Sequence, residues 1–173
     1  MSLLSLAGAA LVLGGIELVY GWRLAVLGVT ADLLFALAAF AATCLPREKV
    51  VPVACCIGLW SDFLVGGRLG VMALGYGLGA HILAEIAPLA GRIDPGGAAP
   101  RPARAVAILA MCFAGAAVAH ALPAVASALS GTESPARALA RAAGVALFTA
   151  LISPLLWPIL GAAAGRARSS RGA

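Results

Sequence analysis

Long apolar segments follow one another through almost the whole chain, and the breaks between them are short, basic, and rich in glycine or proline. That pattern leaves few possible folds. A chain of 173 residues that is 62% hydrophobic and only 11% charged carries more apolar surface than one soluble core can hide. A helix needs about 20 mostly apolar residues to cross a bilayer, and the Ala, Gly and Leu runs lack the two-residue alternation of barrel strands. The expected fold is therefore an all-α, polytopic integral membrane protein with about six transmembrane helices in a single domain over residues 1–173. Residues 1–20 have no basic segment ahead of the apolar run, so they read as a retained first span and not as a signal peptide.

The expected spans are residues 3–20, 31–45, 50–65, 69–90, 105–129 and 139–164, with a basic tail over 166–173. Pro46, Arg47, Glu48 and Lys49 separate the second span from the third. The Pro-, Gly- and Arg-rich stretch 91–104 is the longest loop, and the path of residues 24–30 is left open. Alternate loops, counted from the N-terminus, hold eight Lys and Arg against four in the other set, which predicts that both termini are cytoplasmic. No internal repeat is visible, so an inverted-repeat transporter gains no support from symmetry.

The net charge of +5 does not point to nucleic acid, because the basic residues are spread over loops and tail, where orientation and anionic lipid headgroups account for them. Cys44, Cys55, Cys56 and Cys112 all lie in apolar runs without metal-ligand spacing and read as small hydrophobes. Phosphate loops, nucleophile elbows and zinc-protease motifs are absent. No cofactor or metal is expected, and an enzyme acting alone is disfavoured.

An ionisable group within a span costs roughly 2.5 to 3.5 kcal/mol on insertion scales, so each one needs a reason. In the expected topology Glu17, Asp32 and Asp62 gather toward the outer side, flanked by Arg23 and Arg68. As a functional group they would form an ion or proton site. The favoured structural reading has Asp62 pairing with a basic neighbour or accepting backbone N–H groups at the Gly66–Gly70 joint, and Asp32 capping the second span. His81 and Glu85, four residues apart, share a helix face and can relay a proton or neutralise themselves against another helix. His120 reads as a satisfied polar residue at a helix contact. Pro154 and Pro158 should kink the last span and free carbonyls for its neighbours.

The most informative stretch is residues 58–76, an apolar run carrying Asp62 that breaks at Gly66, Gly67 and Arg68 and turns back through Gly70. Gly58, Asp62, Phe63, Leu64, Gly66, Leu69 and Gly70, with Ala31, Asp32 and Leu33 at the second span, resemble the bacterial rod shape-determining MreD family. Leu155 to Leu160 before Arg166 and Arg168 resemble that family's last span. The family's proline before the aspartate is Ala31 here. The resemblance implies a non-enzymatic scaffold subunit of the cell-elongation, peptidoglycan-synthesis machinery in the cytoplasmic (inner) membrane. Its implied partners are MreC, a RodA-type glycosyltransferase with its penicillin-binding transpeptidase, and the MreB filament indirectly. The family's fold is similar to the substrate-binding subunits of energy-coupling-factor transporters. That similarity supplies the alternative function, a small-molecule-binding membrane subunit of a vitamin transporter.

Overall fold

The computed structural model describes residues 3–21, 23, 29–66, 69–93 and 101–169. Six helices account for nearly all of them: α1 Leu3–Tyr20, α2 Leu33–Cys44, α3 Arg47–Val65, α4 Val71–Ile93, α5 Arg101–Leu129 and α6 Pro135–Ser169. Among the described residues there is no strand element.

The organising helix is the shortest one. Twelve residues of α2 span roughly 18 Å at about 1.5 Å per residue, well under the ~30 Å of a hydrocarbon core. All residues from Leu33 to Ala42 are buried. A helix that is apolar on every face belongs inside a bundle, and α2 touches each of the other five helices. Alanines at 36, 38, 39, 41 and 42 keep its girth small enough for that. Around it α3, α4, α5 and α6 pack in chain order, with α1 against α3.

Small residues set the closest approaches. Gly75 and Gly79 of α4 face Ala119 and Gly115 of α5, where an added Cβ would run into the opposing backbone carbonyls. This is the spacing of small residues that lets membrane helices touch backbone to backbone. Pro123 sharpens the arrangement. Lacking an N–H, it cannot bond the carbonyl four residues back, so the Ala119 oxygen is released toward α4. Gly75 is the residue that comes up against it. On the other side of α4, Gly58 of α3 packs against the Met72–Ala73 backbone, its hypothetical Cβ falling 2.6 Å from the Ala73 Cα.

Several boundaries differ from the expected ones. Arg47, Glu48 and Lys49 form the first turn of α3, because Pro46 is placed just ahead of the helix and the charged residues after it remain good helix formers. Charge there marks the end of an apolar run, not the end of a helix. Helix α5 begins at Arg101 and α6 at Pro135. The expected basic tail is helical through Ser169, since the Ala-rich run before it offers no stop signal. Residues 24–28, 67–68 and 94–100 lie outside the described residues, so the proposed path of 24–30 and the site candidate Arg68 fall partly or wholly there.

Ile108–Leu129 and Pro135–Ala162 are long and apolar enough to cross a membrane. The apolar helices Leu4–Tyr20, Leu33–Cys44 and Val71–Ile86 are shorter. Large apolar side chains nevertheless cover the exterior: Leu147, Leu151, Leu155 and Ile159 form an exposed stripe at four-residue spacing on α6, and Phe63 is 74% exposed.

Candidate functional site

The polar side chains of the interior converge at one end of the bundle, where α2 begins. Asp32 is the N-cap of α2, and its Oδ1 accepts the Phe35 N–H at 2.7 Å. A cap of this kind satisfies one of the N–H groups that a helix start leaves unbonded. Its own N–H donates to Thr149 Oγ1 of α6 at 2.9 Å. Oδ2 accepts the hydroxyl of Tyr76 from α4, and His120 Nε2 of α5 lies 3.2 Å away from it. One residue therefore ties α2 to α4, α5 and α6.

The neighbours are fixed by packing. Tyr76 and Thr149 are fully buried. The Tyr76 ring meets Phe35 edge-on at 5.3 Å between centroids, and its hydroxyl also approaches Ser61 Oγ of α3 at 3.4 Å. His120 makes a looser edge contact with Phe35 at 6.4 Å. Its Nε2 reaches ion-pair distance of Asp32 without forming an aligned hydrogen bond. From α1, Glu17 directs its carboxylate toward the Leu34 N–H, a second donor of the α2 start. Glu17 Oε2 is buried and has no hydrogen-bond partner.

Asp62 does different work. Its carboxylate, at the end of α3, accepts the backbone N–H groups of Gly70 (2.8 Å), Met72 (3.1 Å) and Ala73 (3.3 Å). A side chain from the preceding helix thereby caps the start of α4 and closes the hairpin. Gly66 ends α3 in the left-handed conformation, φ 65°, and Gly70 takes φ 95°. Both values are open to glycine with no steric penalty. Asp62 is 2% exposed, and among the described residues its carboxylate is held by those three N–H dipoles.

The structure thus brings Glu17 and Asp32 together and keeps Asp62 on the hairpin beside them. His81 and Glu85 are not part of this group. Both are exposed on α4, and Glu85 Oε1 pairs with Arg47 Nη1 of α3 at 3.3 Å. Tyr76, Ser61 and Thr149 belong to the site and were not singled out from the sequence. A phenol and two hydroxyls in otherwise apolar segments were the available signal, since a buried Tyr needs a partner for its O–H. Among the described residues no group of three or more His, Cys, Asp and Glu is placed to hold a metal, and all four cysteines are free.

Beside a cavity of about 260 Å³ lined by Asp62, Ser127 and Thr132, two others open at this end. The first, about 290 Å³, has Glu17, Thr30, Asp32, Ser61, His120 and Arg141 in its wall. The second, about 300 Å³, shares Glu17, Thr30 and Ser61 with it. Arg141 is half exposed and already pairs with Glu133 at 3.0 Å. An apolar groove of about 480 Å³ lies elsewhere, between α1 and α3, lined by residues such as Leu6, Leu11, Pro52 and Trp60.

No family model, curated protein or solved structure matches this chain.

Proposed function

We infer that the chain is a multi-pass protein of the bacterial cytoplasmic membrane and a non-enzymatic scaffold subunit of the cell-elongation complex, acting with MreC. The observation that carries this reading is the use to which the two motif aspartates are put. Asp62 is spent on three backbone N–H groups, and Asp32 on a cap, a phenol and a histidine. Both carboxylates hold helix starts in register, which is a folding task, and neither is left as a free base beside a nucleophile.

The exterior supports the same reading. Exposed leucines and isoleucine on α6, an apolar groove between α1 and α3, and unoccupied glycine surfaces at Gly8 and Gly15 are what lipid and partner helices pack against. With both termini cytoplasmic, the α3–α4 hairpin and the start of α2 face outward, toward the compartment where peptidoglycan is built. MreC links the chain to the MreB filament, and the RodA-type glycosyltransferase with its penicillin-binding transpeptidase completes the assembly.

Mild detergent extraction of native membranes followed by affinity recovery tests the proposal. MreC or the synthase should come with the protein. A second reading, a small-molecule-binding subunit of a vitamin transporter, draws support from the polar cavity of about 290 Å³. Recovery of a vitamin together with an ATPase module, and without MreC, would select it.

A further inference from the structure

The groups around the cavity at the α2 start do not balance. The acceptors are the two carboxylates, Glu17 and Asp32. Several of the donors nearby are committed. The Tyr76 hydroxyl and the Phe35 N–H are given to Asp32, and the half-exposed Arg141 guanidinium gives one of its N–H groups to Glu133. The hydroxyls of Thr30 and Ser61 also stand in the wall, Ser61 Oγ lying 3.4 Å from the Tyr76 hydroxyl. Two atoms stay without hydrogen-bond partners, Glu17 Oε2 and His120 Nε2, and both belong to residues that line the same cavity. His120 is 7% exposed, so bulk water does not complete it. A buried acceptor left unmade costs about 1–3 kcal/mol, so Glu17 Oε2 favours an occupant that brings a donor.

Charge points the same way. Two carboxylates face the cavity, against one guanidinium that an acidic partner has already neutralised. An anion would meet like charge there, and a neutral apolar molecule would leave Glu17 unpaired. A bare divalent metal is not served either, because the described residues hold no set of three ligands of the usual types. A positively charged group with several N–H donors satisfies both requirements.

We propose that this cavity is a binding site for a small organic ammonium solute, with the ammonium group donating to Glu17 Oε2 and its hydrocarbon part lying against Val65, Met72 and Val145. About 290 Å³ admits a solute of modest size. Asp32 sets the charge of the wall and Ser61 offers a further oxygen to the ammonium. All six helices contribute to this wall through side chains or caps, so an occupant bridges the bundle at its least satisfied point. The cavity exists whichever proteins surround the bundle, so this test and the test of the scaffold reading fail independently.

The probe is n-butylammonium chloride, titrated by calorimetry and thermal melting into full-length protein in a non-ionic detergent. Sodium butyrate, 1-butanol and sodium chloride are the matched controls. The wild-type protein should bind n-butylammonium saturably and melt at higher temperature with it. Glu17→Gln should weaken binding at least tenfold, while Glu85→Gln, on the exposed face of α4, should leave it unchanged. Should Glu17→Gln fail to accumulate, carbodiimide treatment of the wild type with n-butylammonium should form an amide at Glu17, located by mass spectrometry. Several results would overturn the proposal: no saturable binding, equal binding by Glu17→Gln, equal effects of butanol or sodium ion, or coupling confined to Glu48, Glu85 and Glu133.

Discussion

The hydroxyl of Tyr76 donates to Oδ2 of Asp32, joining the second turn of one helix to the capping residue of another 44 positions earlier in the chain. The bond is buried, and the same carboxylate also accepts the Phe35 N–H in the first turn of α2 and faces His120. Tyr76→Phe keeps the ring against Phe35 and removes only the donor. Hydrogen bonds to charged groups contribute about 1.5–3 kcal/mol in water-soluble proteins, and those in membrane bundles average less, so a loss of about 1–2 kcal/mol is expected. Thermal unfolding in detergent measures it. Thr149→Val should cost about 1 kcal/mol by the same logic, because it leaves the Asp32 N–H unmet.

Asp62 has three acceptor contacts to lose. Asp62→Ala should destabilise the α3–α4 hairpin by about 2 kcal/mol, the upper range for a helix cap. Asp62→Asn keeps an acceptor oxygen and should recover roughly half of that. Proteolysis at the hairpin in detergent reports the difference. Equal behaviour of the two variants with wild type would show that the cap carries no weight.

The glycines make a paired prediction. Gly75→Ala places a methyl on the released Ala119 carbonyl and should separate α4 from α5 at a cost of about 1–3 kcal/mol. Gly8→Ala meets nothing within 4 Å and lies inside α1, so it should be neutral or stabilise by up to about 1 kcal/mol. Melting temperatures of the two variants should move in opposite directions.

The Arg47–Glu85 pair is more than half exposed at both side chains. Glu85→Gln should change stability by less than about 1 kcal/mol. A larger loss would mean that the pair is covered by something besides solvent.

What could be read from the sequence depended on how far apart the interacting residues are. Asp32 capping Phe35 is a contact over three positions, and a carboxylate just before an apolar run is a local signal. Asp62 with the Gly66–Gly70 joint spans eight to eleven positions and was still legible as a hairpin. The contact between Asp32 and Thr149, 117 positions apart, had no such signature, because it depends on which face of α6 lies on α2. The role of Tyr76 was hidden for the same reason. Helix starts at Arg47, Arg101 and Pro135 were drawn too late, since hydropathy reports where a membrane ends and not where hydrogen bonding begins. The central position of α2 was also unreadable: a short apolar run looks alike whether lipid or protein surrounds it.

The proposed topology is a six-helix membrane bundle with the α5–α6 loop outside and both termini inside. Single cysteines at Thr132 and Lys49, in a chain whose four native cysteines are replaced, test this directly with a membrane-impermeant maleimide on intact cells. That topology predicts labelling at 132 without permeabilisation and at 49 only after it. Labelling of both positions from outside, the reverse pattern, or release of the protein by alkaline washing of the membranes would contradict it.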